Sequence, residues 1–340
     1  MRTAAAGVLI LWGVSGCASS DVDQIRERVQ SVPAYQFERY DFDADRPLHR
    51  RVGAMPAHVL EYVRALDERP DYKSYQPTAA EMRLIRRSLD RLPPRLKQNL
   101  ERRGLGIYFI DDFLTSGLTD WAVSGDPKGE SPPEIYSYMV FHAKSLKTSM
   151  QDLLNEREAS CFRKDDSGTE IEIRLGGKES AFTYLLLHEA VHALDYSERI
   201  SPYVEESVYP YQRRIQRDIQ AGELIDRVWS DYREPRAAFD FPTRKLVTFY
   251  GFRGGPRLAL GEASEVYRGL AGSPFVSLYG SQMWPEDLAE LVSMYYLTEA
   301  AGRSYSIRLK RKGRIIAEHE PLKFPAVRER LRDLRRHFDS

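Results

Sequence analysis

Little in this chain invites a disulfide framework, a nucleic-acid surface or a membrane bundle. Only 2 cysteines occur in 340 residues, Cys17 and Cys161, too few for a stapled scaffold. Neither charge is in excess: Lys+Arg and Asp+Glu both number 50, which removes the usual electrostatic ground for a nucleic-acid partner. The arginines around Arg102 and Arg335 are interleaved with acids and read as solvated helix faces. Beyond the first twenty residues no stretch is long and apolar enough to span a bilayer. Repeats and low-complexity segments are missing as well. What is present is 42% hydrophobic and 29% charged residues, enough for a sizeable core in one large domain or two small ones.

The N-terminus is the exception to the even texture. MRTAAAGVLILWGVSGCASS carries Arg2, an apolar run from Ala4 to Val14, then small residues. That pattern is a secretory signal. Val14-Ser15-Gly16-Cys17 resembles a bacterial lipobox, which implies a signal peptide over 1–16 and acylation of Cys17. Ala18 in place of an aspartate then implies the outer membrane of a Gram-negative envelope. Cys161 is left without a partner, so no internal disulfide is expected.

From 17 to 52 the chain is polar and aromatic without period, which suits a tether. Residues 53–104 read as helices, with apolar positions at helical spacing in Ala54–Leu66 and Ala79–Leu92 and a further helix after Pro93-Pro94. Strands are expected at Gly106–Ile110, Ser137–Ala143 and Thr169–Leu175. The last alternates Ile171, Ile173 and Leu175 against charged residues, so it suits a sheet edge open to an extended ligand. Pro210–Tyr232 reads as a long polar helix and Phe239–Leu270 as irregular. A helix is expected from Pro285 to Gly302, then a hairpin turning at Lys312-Gly313 and a basic C-terminal helix, together 304–340.

The chemistry concentrates in LLLHEAVHALDY. His188 and His192 are four apart on a helix, so both imidazoles can face one point. Glu189 stands beside that point, where a general base for a water molecule is needed. Leu185–Leu187, Ala190, Val191, Ala193 and Leu194 surround the triplet, and burying it without a neutralising partner costs several kcal/mol, on the order expected for any buried polar cluster. Zinc supplies both charge and bonds. Catalytic zinc takes three protein ligands. A third histidine six residues after His192 is excluded, because position 198 is Glu, and Glu198 itself lies nearly two turns along the helix. Glu286 and Glu290, four apart at the start of the later helix, are the better source. One could bind the ion while the other hydrogen-bonds a ligand histidine, although acids at a helix start are also ordinary dipole partners.

HEAVHALD and EDLAE resemble the two active-site helices of gluzincin metallopeptidases, the variant closest to them being the anthrax lethal factor-like catalytic domain. The likeness covers Gly168–Tyr196 and Tyr279–Ala300. It implies one Zn2+ held by His188, His192 and Glu286, with Glu290 supporting a ligand histidine. It further implies Glu189 as general base, Tyr279 as oxyanion donor and Asp195 as a structural residue behind the ligands. The implied fold is α+β: a zincin-like domain over 105–303 with a small mixed sheet, an HExxH helix, a glutamate-bearing helix and an insertion at about 197–277, preceded by the helical region. The implied activity is zinc-dependent hydrolysis of peptide or protein substrates in the envelope or outside the cell, with the lipid at Cys17 holding the enzyme to the membrane. The competing expectation is a non-catalytic zincin-fold lipoprotein that binds peptides, in which Glu189 and Tyr279 would be dispensable.

Overall fold

A computed structural model describes residues 19–339, so the signal segment and Cys17 lie outside the described residues. The chain is α+β, with helices and small sheets. It forms two compact units: residues 19–146 with 192–218, and residues 147–191 with 219 onwards. The boundary falls inside one helix, between Val191 and His192.

In the first unit, α1 (Ser19–Ser31) and three short 3-10 turns occupy the stretch expected to be a tether. Val29, Ala34, Tyr35 and Leu48 are buried there, so this segment is part of the packed structure. Helices α2 (Ala57–Leu66), α3 (Ala79–Asp90) and α4 (Pro94–Arg103) follow, as the spacing predicts. α3 opens with a reciprocal cap: Thr78 Oγ1 accepts from the Glu81 amide at 3.3 Å while the Glu81 carboxylate accepts from the Thr78 amide at 2.8 Å. Strands β1 (Gly104–Ile110), β2 (Gly117–Ser124) and β3 (Glu134–His142) make a mixed sheet of order β1-β3-β2, with β1 parallel and β2 antiparallel to β3. Being central, β3 is buried on both faces, which explains its unbroken apolar run. The sequence reading missed β2, because its buried Asp120 interrupts the hydrophobic alternation.

The second unit begins with α5 (Met150–Ser160), capped by Ser149, then β4 (Phe162–Arg163) and β5 (Thr169–Leu175). Helix α6 (Ala181–Glu198) carries the histidines. The expected long helix over Pro210–Tyr232 is instead the single turn α7 (Tyr209–Gln212), which belongs to the first unit, a break, and then, in the second unit, α8 (Ile219–Asp226) and the start of a two-stranded ribbon, β6 (Trp229–Asp231) with β7 (Glu234–Pro235). Buried Gln212 explains the break: its amide donates to the Asp195 and Tyr196 carbonyls and accepts from the Val204 amide, turning the chain. The region expected to be irregular holds β8 (Leu258–Ala259), paired with β4, and ends in α9 (Ala263–Ala271).

Helix α10 (Trp284–Met294) starts with Pro285 in its first turn and runs on as a π-helical segment to Glu299. Strands β9 (Tyr305–Arg311) and β10 (Arg314–His319) join β5 in an antiparallel sheet of order β10-β9-β5. Lys312 and Gly313 both have positive φ, 49° and 75°, the geometry of a tight hairpin turn. Helix α11 (Pro325–Phe338) closes the chain. Among the described residues no helix is long and apolar enough to cross a membrane.

Candidate metal centre

Helix α6 is buried along nearly all of its length because its apolar residues occupy every face. His188, Glu189 and His192 are therefore interior, at 4%, 5% and 8% exposure. Glu286, in the first turn of α10, meets them: its Oε2 lies 3.0 Å from Nε2 of His188. One donor atom from each of His188, His192 and Glu286 lies within 4.8 Å of the others. Tetrahedral ligands about 2.0–2.1 Å from a zinc ion stand about 3.3 Å apart, so the three donor atoms could hold one ion after closing by about an ångström. Two imidazoles and one carboxylate are also the donor chemistry of a catalytic zinc site.

The electrostatics favour a cation. Burial disfavours the charged His188 ring, but hydrogen bonds to Glu286 and Glu290 and the charges of Glu286 and Glu189 outweigh it, and its pKa is pushed up to about 10. Behind the ring, Glu290 Oε1 lies 3.4 Å from Nδ1. Glu290 is wholly buried and accepts from Arg157 Nη1 at 3.2 Å, Arg157 Nη2 at 2.8 Å, Ser277 Oγ at 2.5 Å and the Tyr184 hydroxyl. Burial raises its carboxyl pKa, but Arg157 and His188 together hold it well below the usual carboxylate range. Gly280 allows this packing: a Cβ there would stand 3.2 Å from Cβ of Glu290.

Asp287 points another way, accepting from Arg330 Nη1 and Nη2 at 2.8 and 2.7 Å and from the Trp229 indole at 2.8 Å. The three acids of α10 thus face three different neighbours. Tyr279 stands beside the site, its ring centroid 6.1 Å from that of His188 and 5.1 Å from that of Phe249. Burial and the Glu286 charge push its phenol well above the ordinary value, so the hydroxyl keeps its proton and can donate.

The other sequence-predicted residues are elsewhere occupied. Asp195 accepts from the amide and hydroxyl of Ser201 at 2.7 and 2.6 Å and fixes the turn after α6. Glu198 pairs with Arg95 at 2.6 Å. As expected, β5 is the edge strand of its sheet, but its openness is corrected: the Ile173 and Leu175 amides donate to Asn155 and Gln151 of α5 at 2.7 and 3.2 Å, so an added peptide strand would find those donors already used. Sequence reasoning missed Arg157, Tyr184 and Ser277. Tyr184, one turn before His188 on the same face of α6, was findable from spacing. Arg157 carries no such signal. The chain matches no protein-family model, no curated protein and no solved structure.

Proposed function

We propose that the chain is a zinc metalloendopeptidase of the gluzincin kind, nearest the lethal factor-like catalytic domain, tethered in a bacterial envelope by a lipid on Cys17. The observation that carries this reading is the convergence of His188, His192 and Glu286 from α6 and α10, with Glu189 on the same buried helix. Zinc bound by those three residues would lower the pKa of a water towards about 7 and polarise the scissile carbonyl. Glu189 takes the proton of the attacking water and delivers it to the leaving amine. Tyr279, protonated and beside His188, donates to the carbonyl oxygen as negative charge develops there, worth about 2–4 kcal/mol by comparison with other oxyanion donors. Glu290 Oε1, 3.4 Å from Nδ1 of His188, is placed to receive the Nδ1 proton when Nε2, the atom facing Glu286, gives up its own proton in favour of a metal ion.

The test is hydrolysis of a diverse peptide library by wild type and Glu189→Gln. Cleavage by the wild type, lost in a variant that still binds zinc, is the expected result. A variant that remains active would remove Glu189 from the mechanism, and a zinc-loaded wild type that cleaves nothing would leave a peptide-binding module.

A further inference from the structure

Arg157 is among the most deeply buried charges of the second unit, at 5% exposure, and it comes from α5, outside both active-site helices. Its guanidinium forks onto Glu290 through both Nη atoms and also donates to the Tyr184 hydroxyl at 2.7 Å. The same planar group lies over the Tyr279 ring, 4.8 Å from its centroid. Its Nε is buried with no hydrogen-bond partner among the described residues, so the placement is not the one that best satisfies the arginine itself. A buried ion pair is seldom a net source of stability compared with apolar packing, so this pair needs another reason.

We propose that Arg157 is a positioning residue that orients two parts of the site at once, the Glu290 carboxylate behind His188 and the ring of Tyr279. This rests on the metallopeptidase reading above. Two Arg157 donors, Tyr184 and Ser277 hold the Glu290 carboxylate in place, with its Oε1 3.4 Å from Nδ1 of His188. The guanidinium plane provides a flat, charged surface that fixes the tilt of the Tyr279 ring. A lysine would keep the charge and supply neither the fork nor the plane.

The experiment measures zinc affinity by competition with a chromogenic chelator, and kcat and KM on a cleaved peptide, for wild type, Arg157→Lys, Glu290→Gln and the double variant. Each single variant should bind zinc about 10- to 100-fold more weakly, the effect typical of groups that support a ligand histidine. The double variant should be no weaker than either single, because both act through one contact. In Arg157→Lys kcat should fall with KM within about twofold of wild type, as expected when transition-state contacts alone are lost. Wild-type zinc affinity in Arg157→Lys, or losses that multiply in the double variant, would overturn the inference while leaving the metal reading intact. A wild type that binds no zinc would overturn both. Should Arg157→Lys fail to fold, Arg157→Gln/Glu290→Gln removes both charges together, and wild-type zinc affinity in that protein would likewise refute the role.

Discussion

Asp120 in the first unit and Glu290 in the second are both buried carboxyls, at 5% and 0% exposure, yet they are driven in opposite directions. Asp120 accepts from the Trp121 amide at 2.8 Å and forms no ion pair among the described residues. Burial first, and then the charge of Glu205, push its pKa up to about 8. Glu290 suffers the same burial but faces Arg157 and His188, and it stays ionised. Depth alone therefore does not set the state of a buried acid; the partner does. Only the arginine-paired acid is placed to accept from a histidine. Asp287 on α10 is an intermediate case: Arg330 offsets its burial without reversing it, and its pKa stays raised.

The comparison can be broken at its arginines. Arg330→Met should cost about 3–5 kcal/mol in urea unfolding, because Asp287 is left buried and unpaired, and adding Asp287→Asn should recover most of it. No recovery would mean that packing, not charge, was lost. Next in size, Glu290→Gln should weaken zinc binding about 10- to 100-fold in chelator competition with the fold intact. Asp120 gives the opposite sign of pH effect. Its folded pKa lies above its unfolded value of about 3.9, so the folded chain holds a proton that the unfolded chain releases. Its stabilising contribution is complete below about pH 4 and is lost as pH rises towards about 8. Relative to Asp120→Asn, wild type should lose at most about 1.4 kcal/mol per pH unit across that window; parallel curves would show that Asp120 is not protonated when folded. The smallest effect is expected at Glu81, whose carboxylate accepts from the neutral donors Thr78 and Tyr75. Thr78→Ala should cost about 1 kcal/mol and be nearly independent of pH between 6 and 8, roughly the loss of a helix cap.

What the sequence made legible follows from periods that operate inside one element. His188 and His192, and Glu286 and Glu290, are each four apart, and a helix brings each pair to one face. The hairpin at Lys312-Gly313 and the proline start of α10 were readable for the same local reason. The approach of α10 to α6 has no such period, and only the likeness of EDLAE to a known helix pointed to it. Arg157 was invisible because its partner is 133 positions away and a lone arginine in a polar helix looks solvated. The edge position of β5 was readable but its openness was not, because side chains of α5, not another strand, take up two of its amides. The segment after Ser19 was misread because its buried residues follow no helical or strand period over its 3-10 turns.

The central claim is that α6 and α10 together form a metal site, and metal content tests it most directly. Purified wild type and His188→Ala should be dialysed against buffered free zinc and their bound metal measured by elemental analysis. The expected result is one tightly held zinc per wild-type chain and none in the variant. A wild type without zinc, or a His188→Ala protein that binds it equally, would contradict the account.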